Sequence, residues 1–268
     1  MHTKDSASWH EFKESLNILN QERDGLKKER YPGVRISEFL YRGHSDSEWK
    51  LETTLERFPE HSLSVENYYR LIHKIKLEVE TYFKKEWVIP DADEWIEKLN
   101  KKSYSNIATY IVNSGSLYEY IVFLRHHGFP SPLLDWSRSP YVAAFFATRQ
   151  AIVNKSKFIS IFVFLDSIGK GKQYIGDLGN GIQQIEALGP NVRGQKRHFL
   201  QQCEYTICTQ SKPNEYKFIS HEEIVGTSNV IKFRAEKQTQ DFIFKFNMRY
   251  CQMLWSEFLA LRILPASF

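Results

Sequence analysis

The chain has 268 residues, 42% of them hydrophobic and 25% charged, enough apolar material to bury a sizeable core and too much for a disordered tail. Lys and Arg outnumber Asp and Glu by only 36 to 32, so the net charge of +4 does not mark a general nucleic-acid binder, and any basic patch has to be local. The three cysteines, Cys203, Cys208 and Cys251, lack the paired spacing of a zinc knuckle and read as buried thiols of a reducing compartment. The N-terminus carries no apolar signal core and no apolar run approaches the ~20 residues needed to cross a bilayer, so a cytoplasmic protein without a membrane partner is expected.

Along the chain, Ser8 to Arg30 sets Trp9, Phe12, Leu16, Ile18, Leu19 and Leu26 among many charges and predicts an amphipathic helix that frays before Pro32-Gly33. Val34 to Arg42 reads as a strand and Trp49 to Leu55 as a short extended or turn segment. Val65 to Trp87 predicts one long charged helix with Tyr69, Ile72, Ile75, Val79 and Phe83 on a single face, stopped by Pro90. Further helices are expected over Asp91–Leu99 and Asn106–Arg125. Beyond them the pattern turns to strands at Phe158–Leu165, Glu204–Thr209 and Val230–Phe233, and a helical stretch from Gln238 to Ile263 closes the chain. No internal repeat or low-complexity tract is visible. The expected class is α+β on a small central sheet, a single domain over 1–268 made of an N-terminal helical extension over residues 1–36, a core over 37–235 carrying a helical insertion at 62–125, and a C-terminal helical segment over 236–268.

Two short stretches carry candidate chemistry. Phe39-Leu40-Tyr41-Arg42-Gly43-His44 ends a half-apolar strand on a guanidinium beside a glycine, a pairing that offers a phosphate a fork of donors and an open backbone N–H. The block from Arg125 to Ala147 mixes turn formers, an acid and hydroxyls ahead of a small/aromatic helix. Within it Ser139-Pro140 is a helix start, the hydroxyl as N-cap and the proline in the first turn, and predicts a helix from Tyr141 to Ile152. Ala143, Ala144 and Ala147 allow that helix to approach a sheet closely. Asp135, Ser137 and Ser139 then fall at a strand-to-helix junction, beside the positive end of the helix dipole.

Through Tyr41-Arg42-Gly43, Trp49-Lys50-Leu51 with Leu55, and His127-Gly128 with Leu133-Leu134-Asp135-Trp136-Ser137 and Ser139-Pro140 leading into Ala144-Phe145-Phe146-Ala147, the chain resembles the FRG domain family over roughly Phe39 to Tyr205. The order of an arginine ending an early strand, a hydroxyl-rich junction and a later Gln202-Cys203-Glu204 is similar to the Arg-Ser-Glu layout of the ADP-ribosyltransferase superfamily. That resemblance implies an enzyme that takes nicotinamide adenine dinucleotide (NAD) as substrate and needs no metal. Glu204 would stabilise the oxocarbenium-like transition state formed as nicotinamide leaves ribose. Arg42 would clamp a phosphate or the ribose, Gly43 would leave its backbone open to the nicotinamide amide, and Tyr41, Trp136 or Phe145 would stack on a flat ring. Asp135, Ser137 and His127 would line the pocket. Gln202 and the basic loop residues Arg193, Lys196 and Arg197 would recognise an acceptor, either nucleic acid or an acidic protein, in a toxin or anti-phage setting.

Plainer roles compete for the same residues. Arg42 pairs as readily with a structural carboxylate, Asp135 caps Ser137 or the helix, Trp136 fills a core, and Ser139 only starts a helix. Glu204 shares one side of its strand with Thr206 and Cys208 and would be an ordinary solvent-facing acid if that side is wet. His126 and His127 are adjacent and cannot both face one ligand. The rival to an enzyme is a non-catalytic recognition module whose Arg42 and basic loop hold a phosphate-bearing ligand or nucleic acid. A nuclease or hydrolase built on Asp135 and His127 lacks a second carboxylate.

Overall fold

The computed structural model describes residues 2–6, 8–29, 36–58, 64–102, 106–151, 157–166, 174–177, 181–192, 198, 200–213, 215–225 and 230–236. The expected C-terminal helix, Cys251 and the basic residues Arg193, Lys196 and Arg197 lie outside them. Helices and largely antiparallel strands combine as an α+β protein. The chain divides into two compact units, each assembled from distant segments: Met1–Trp49, Ser137–Leu165 and Val230–Phe268 form the first, and Lys50–Trp136 with Asp166–Asn229 the second.

Among the described residues, the first unit is a sheet under two helices. Its strands are β1 (His2–Ser6), β2 (Phe39–His44), β4 (Phe158–Leu165) and β9 (Val230–Glu236), β3 being Leu134–Ser137, which enters this unit only with Ser137. β1 runs parallel to β9, which is antiparallel to β4, which is antiparallel to β2. The apolar run predicted for Phe158–Leu165, interrupted only by Ser160, is β4, and every residue from Ile159 to Leu165 is buried, as a strand covered on both faces requires.

Helix α1 (Trp9–Glu29) buries Phe12 and Leu16 of the predicted apolar set, while Ile18, counted in that set, is exposed because it falls two positions after Leu16 and so off the same helical face. The Ser8 hydroxyl accepts from the Glu11 N–H at its start. Trp9 leans on Tyr141 at 5.8 Å, while Arg23 pairs with Glu38 and lies over the Phe39 ring. α1 is thereby anchored to the entry of β2 and to the start of α7 (Pro140–Ala151).

The second unit packs helices against a meander of β5 (Tyr174–Asp177), β6 (Gly181–Ala187), β7 (Cys203–Lys212) and β8 (Glu215–Phe218), each antiparallel to the next. The long helix expected over Val65–Trp87 is two, α2 (Val65–Lys74) and α3 (Lys76–Phe83), divided at Ile75. It also ends earlier than Pro90 demands, at Lys84, whose φ of 52° is left-handed. The cause is tertiary: Trp87 is drawn into the core and its N–H donates to the Glu80 carboxylate at 2.7 Å, while Tyr69 donates its hydroxyl to the Pro90 carbonyl at 2.8 Å.

α4 (Ala92–Lys102) starts where Asp91 accepts from the N–H groups of Asp93 and Glu94. The helix expected over Asn106–Arg125 is likewise two, α5 (Ile107–Val112) and α6 (Leu117–His126). Between them Gly115 takes a φ of 60°, and a Cβ there would sit 2.4 Å from the Val88 carbonyl. The core centres on Trp95, stacked between Tyr69 at 4.1 Å and Tyr110 at 4.8 Å, its indole N–H donating to Ser114. A short helix, α8 (His221–Val225), completes the unit.

Candidate functional site

In the first unit, β2 divides its residues by alternation. Phe39, Tyr41 and Gly43 face α7, and a Cβ on Gly43 would lie 1.9 Å from the Ala143 carbonyl oxygen and 2.9 Å from the Ala147 nitrogen. The small residues Ala143 and Ala147 bring the helix that close. Tyr41 is buried, and burial, partly offset by the Arg23 charge, pushes its phenol up to about 12. Its place is in the core of this unit.

Arg42 and His44 point the other way. The half-buried Arg42 donates from Nε to His44 Nε2 at 3.0 Å, and His44 Nδ1 lies 3.3 Å from the Trp49 carbonyl oxygen. A guanidinium only donates, so Nε2 carries the lone pair and the imidazole proton sits on Nδ1, directed to that carbonyl. The His44 ring packs edge-on against Phe162 of β4 at 5.0 Å. Arg42 is therefore oriented by a neutral histidine with a defined tautomer.

The serine junction lies beside this strand. Tyr41 is paired across the sheet with Ser137, so the arginine and serine motifs, nearly a hundred residues apart in sequence, sit on neighbouring backbone. The Ser137 hydroxyl accepts from the Ser139 N–H at 3.0 Å, and Ser139 Oγ accepts from Val142 at 3.4 Å, the N-cap its position predicted. Phe145 of α7 is half-buried, edge-on to Phe146 and 5.9 Å from the Arg149 guanidinium.

In the second unit Asp135 accepts from Arg125, whose side chain is 12% exposed and whose Nη1 is buried without a hydrogen-bond partner among the described residues. His127 is exposed at the end of α6, its Nδ1 2.7 Å from the Phe123 carbonyl and its ring stacked on Phe123 at 4.0 Å. The inward histidine is its neighbour. His126 Nε2 lies 2.9 Å from the Tyr205 hydroxyl, which also meets buried His198 Nδ1 at 3.3 Å. One phenolic proton serves two imidazoles, so Tyr205 donates to one and accepts from the other. The i, i+4 series Tyr118, Val122, His126, whose first two members are buried, was the signal available in the sequence.

Glu204 stands at the second position of β7, half-buried. The side it shares with Thr206 and Cys208 is dry, since those two are 0% and 1% exposed, and the picture of an acid on a solvated strand face does not hold. Burial and then the Glu204 charge raise the Tyr118 phenol well above its ordinary value. Gln202, before it, is exposed with a φ of 49°.

Trp136 is core. Its indole N–H donates to Thr206 Oγ1 at 2.8 Å; Thr206 bonds His221 Nε2 at 3.1 Å, and His221 Nδ1 lies 2.8 Å from Glu56 Oε1. This Glu–His–Thr series has the order of a nucleophile triad, but Thr206 and His221 are both 0% exposed, so it fastens α8 to β7. No local sequence feature announces it. Among the described residues no group of three or more His, Cys, Asp or Glu is arranged to hold a metal ion, and no helix is long and apolar enough to cross a membrane.

These features define an α+β protein whose Arg42 lies inside β2, which starts at Phe39 and runs on to His44 where a strand from Val34 ending at Arg42 was expected, on backbone next to the serine junction that starts α7. Residues 37–156 match the family model of the FRG domain. The matched stretch holds Arg42, Trp49, Asp135, Ser137 and α7, and stops short of Glu204. Comparisons with curated proteins and with solved structures return no significant match.

Proposed function

We propose that the protein is an ADP-ribosyltransferase-like enzyme that takes NAD as substrate and passes ADP-ribose to a macromolecule or to water. The observation carrying this reading is the pairing of Tyr41 with Ser137, which sets the arginine and serine motifs side by side, with Arg42 held by His44. In the reaction the bond between ribose C1 and nicotinamide nitrogen breaks and its electron pair leaves with nicotinamide. The cationic sugar is met by the Glu204 carboxylate, and an acceptor oxygen or nitrogen attacks C1 and gives up its proton. Arg42 binds the diphosphate or ribose, with Ser137, Asp135 and His127 assigned to the remaining surface of the substrate; Tyr41, Gly43 and Phe145 belong to the α7 side of the sheet, away from the Arg42 side chain, and are not assigned to the substrate. Gln202 and the loop bearing Arg193, Lys196 and Arg197 receive the acceptor, an acidic protein or nucleic acid, in a toxin or anti-phage role.

The test is nicotinamide release from NAD by the purified chain, with Glu204→Gln and Arg42→Ala alongside. The reading expects release that both substitutions lower by about 100-fold or more, the scale of losing one electrostatic contact to a transition state. No release with any acceptor offered, or release indifferent to Glu204→Gln, rejects it in favour of a binding module. Such a module would show salt-dependent affinity for nucleic acid that falls when Arg193, Lys196 and Arg197 are neutralised.

A further inference from the structure

Trp49 is one of the residues that carry the FRG resemblance, and it has no part in the reaction above. It is the most exposed tryptophan among those described, at 46%, whereas Trp87, Trp95 and Trp136 are buried at 2% or less. An indole left in water has forgone the burial that its large apolar area normally secures. Its setting is not that of a loose surface loop. His44, Ser45 and Ser47 beneath it are buried at 6%, 2% and 2%, and Ser47 donates its N–H to the Phe158 carbonyl of β4 at 3.0 Å. The Trp49 N–H donates to Asp46, and its carbonyl accepts the His44 proton. The backbone is fixed while the ring stays open.

The same imidazole also holds Arg42. His44 is thus a one-ring spacer, 3.0 Å from the guanidinium Nε on one side and with ring centroids 6.2 Å apart and planes at 62° on the other. Edge-on packing against His44 leaves an indole face for a second flat ring. A cation for phosphate and an aromatic face, set apart by the width of one ring, match a nucleotide: phosphates on the guanidinium, base or pyridine ring on the indole, ribose between.

We infer that Trp49 is the ring-stacking residue of a nucleotide site that it forms with Arg42, with His44 fixing the spacing of the two. The inference rests on the reading of Arg42 as the phosphate-holding residue and is independent of whether Glu204 performs chemistry.

Calorimetric titration of the full chain with ADP-ribose, nicotinamide mononucleotide and inorganic pyrophosphate tests it. Trp49→Ala should weaken binding of at least one of the two ring-bearing ligands by about 5- to 150-fold, the range for removing one base–aromatic stack, and leave pyrophosphate unchanged. The ligand that suffers identifies the ring. Trp49→Phe, which keeps a flat face, should stay within about 3-fold of the parent. Equal losses for pyrophosphate, unchanged binding of both ring-bearing ligands by Trp49→Ala, or no binding of either by the parent chain would each overturn the inference. Trp49-dependent binding without nicotinamide release would reject the catalytic proposal alone.

Discussion

Replacing Gly43 with alanine separates two reasons for the glycine, packing and ligand access. The added Cβ would lie 1.9 Å from the Ala143 carbonyl oxygen, 2.8 Å from its carbon and 2.9 Å from the Ala147 nitrogen. All three are backbone atoms of α7, so no side-chain rotation relieves the clash. A carbon tolerates a carbonyl oxygen at about 3.3 Å, so the helix would have to recede by about 1.4 Å along its contact with β2. Overpacking of this kind costs about 3 kcal/mol, against which the stiffer unfolded chain returns roughly 0.4–1 kcal/mol, leaving a net loss of about 2 kcal/mol or more. With a urea dependence of roughly 1–3 kcal/mol per molar, the unfolding midpoint should fall by about 0.7–2 M. Urea titration followed by circular dichroism measures it. A midpoint within about 0.2 M of the parent would refute the packing argument, and the same result with lost ADP-ribose binding would place the glycine's role at the ligand instead.

Tyr205→Phe strips the hydroxyl shared by His126 and His198 without changing ring volume. Losing its contacts to half-buried His126 and buried His198 should cost about 1–3 kcal/mol in thermal or urea unfolding, and an unaltered stability would show that the bridge contributes nothing. For Glu80, burial raises the carboxyl pKa, but the hydrogen bond and charge of Lys76 and the Trp87 N–H outweigh it and hold the group below its ordinary 4.5. A folded-state pKa below the unfolded one gives stability that is complete above pH 4.5 and is lost as pH falls through the folded value. The stability gap between the parent and Glu80→Gln should therefore be constant near neutrality and close in acid. A gap that persists unchanged to pH about 2 rejects the assignment.

Much of the fold was legible because burial leaves a period in the chain. The largely apolar run at β4, the amphipathic spacing of α1 and the Ser139-Pro140 start of α7 each report a local constraint, and each element formed where it was expected. The helix breaks were not read from the apolar period alone. Ile75 sits among good helix-forming residues, and α3 stops at Lys84 because Trp87 and Pro90 are claimed by Glu80 and Tyr69. Asn113-Ser114-Gly115 carried a turn signal that the surrounding helical spacing obscured.

The candidate site divides along the same line. Residue type, order along the chain and helix-start chemistry marked Arg42, Ser137 and Ser139, and these are properties of a few consecutive residues. His44 supports Arg42 from two positions along the same strand, whereas which histidine reaches Tyr205, 79 positions away, and why position 43 has no side chain, where Ala143 of α7 closes on it, were decided by distant neighbours. Glu56 and His221, 165 positions apart, show the limit most plainly. A hydrogen-bond partner is chosen by the path of the whole backbone, and a linear pattern of apolar and polar residues records which side of an element is dry without recording what lies against it.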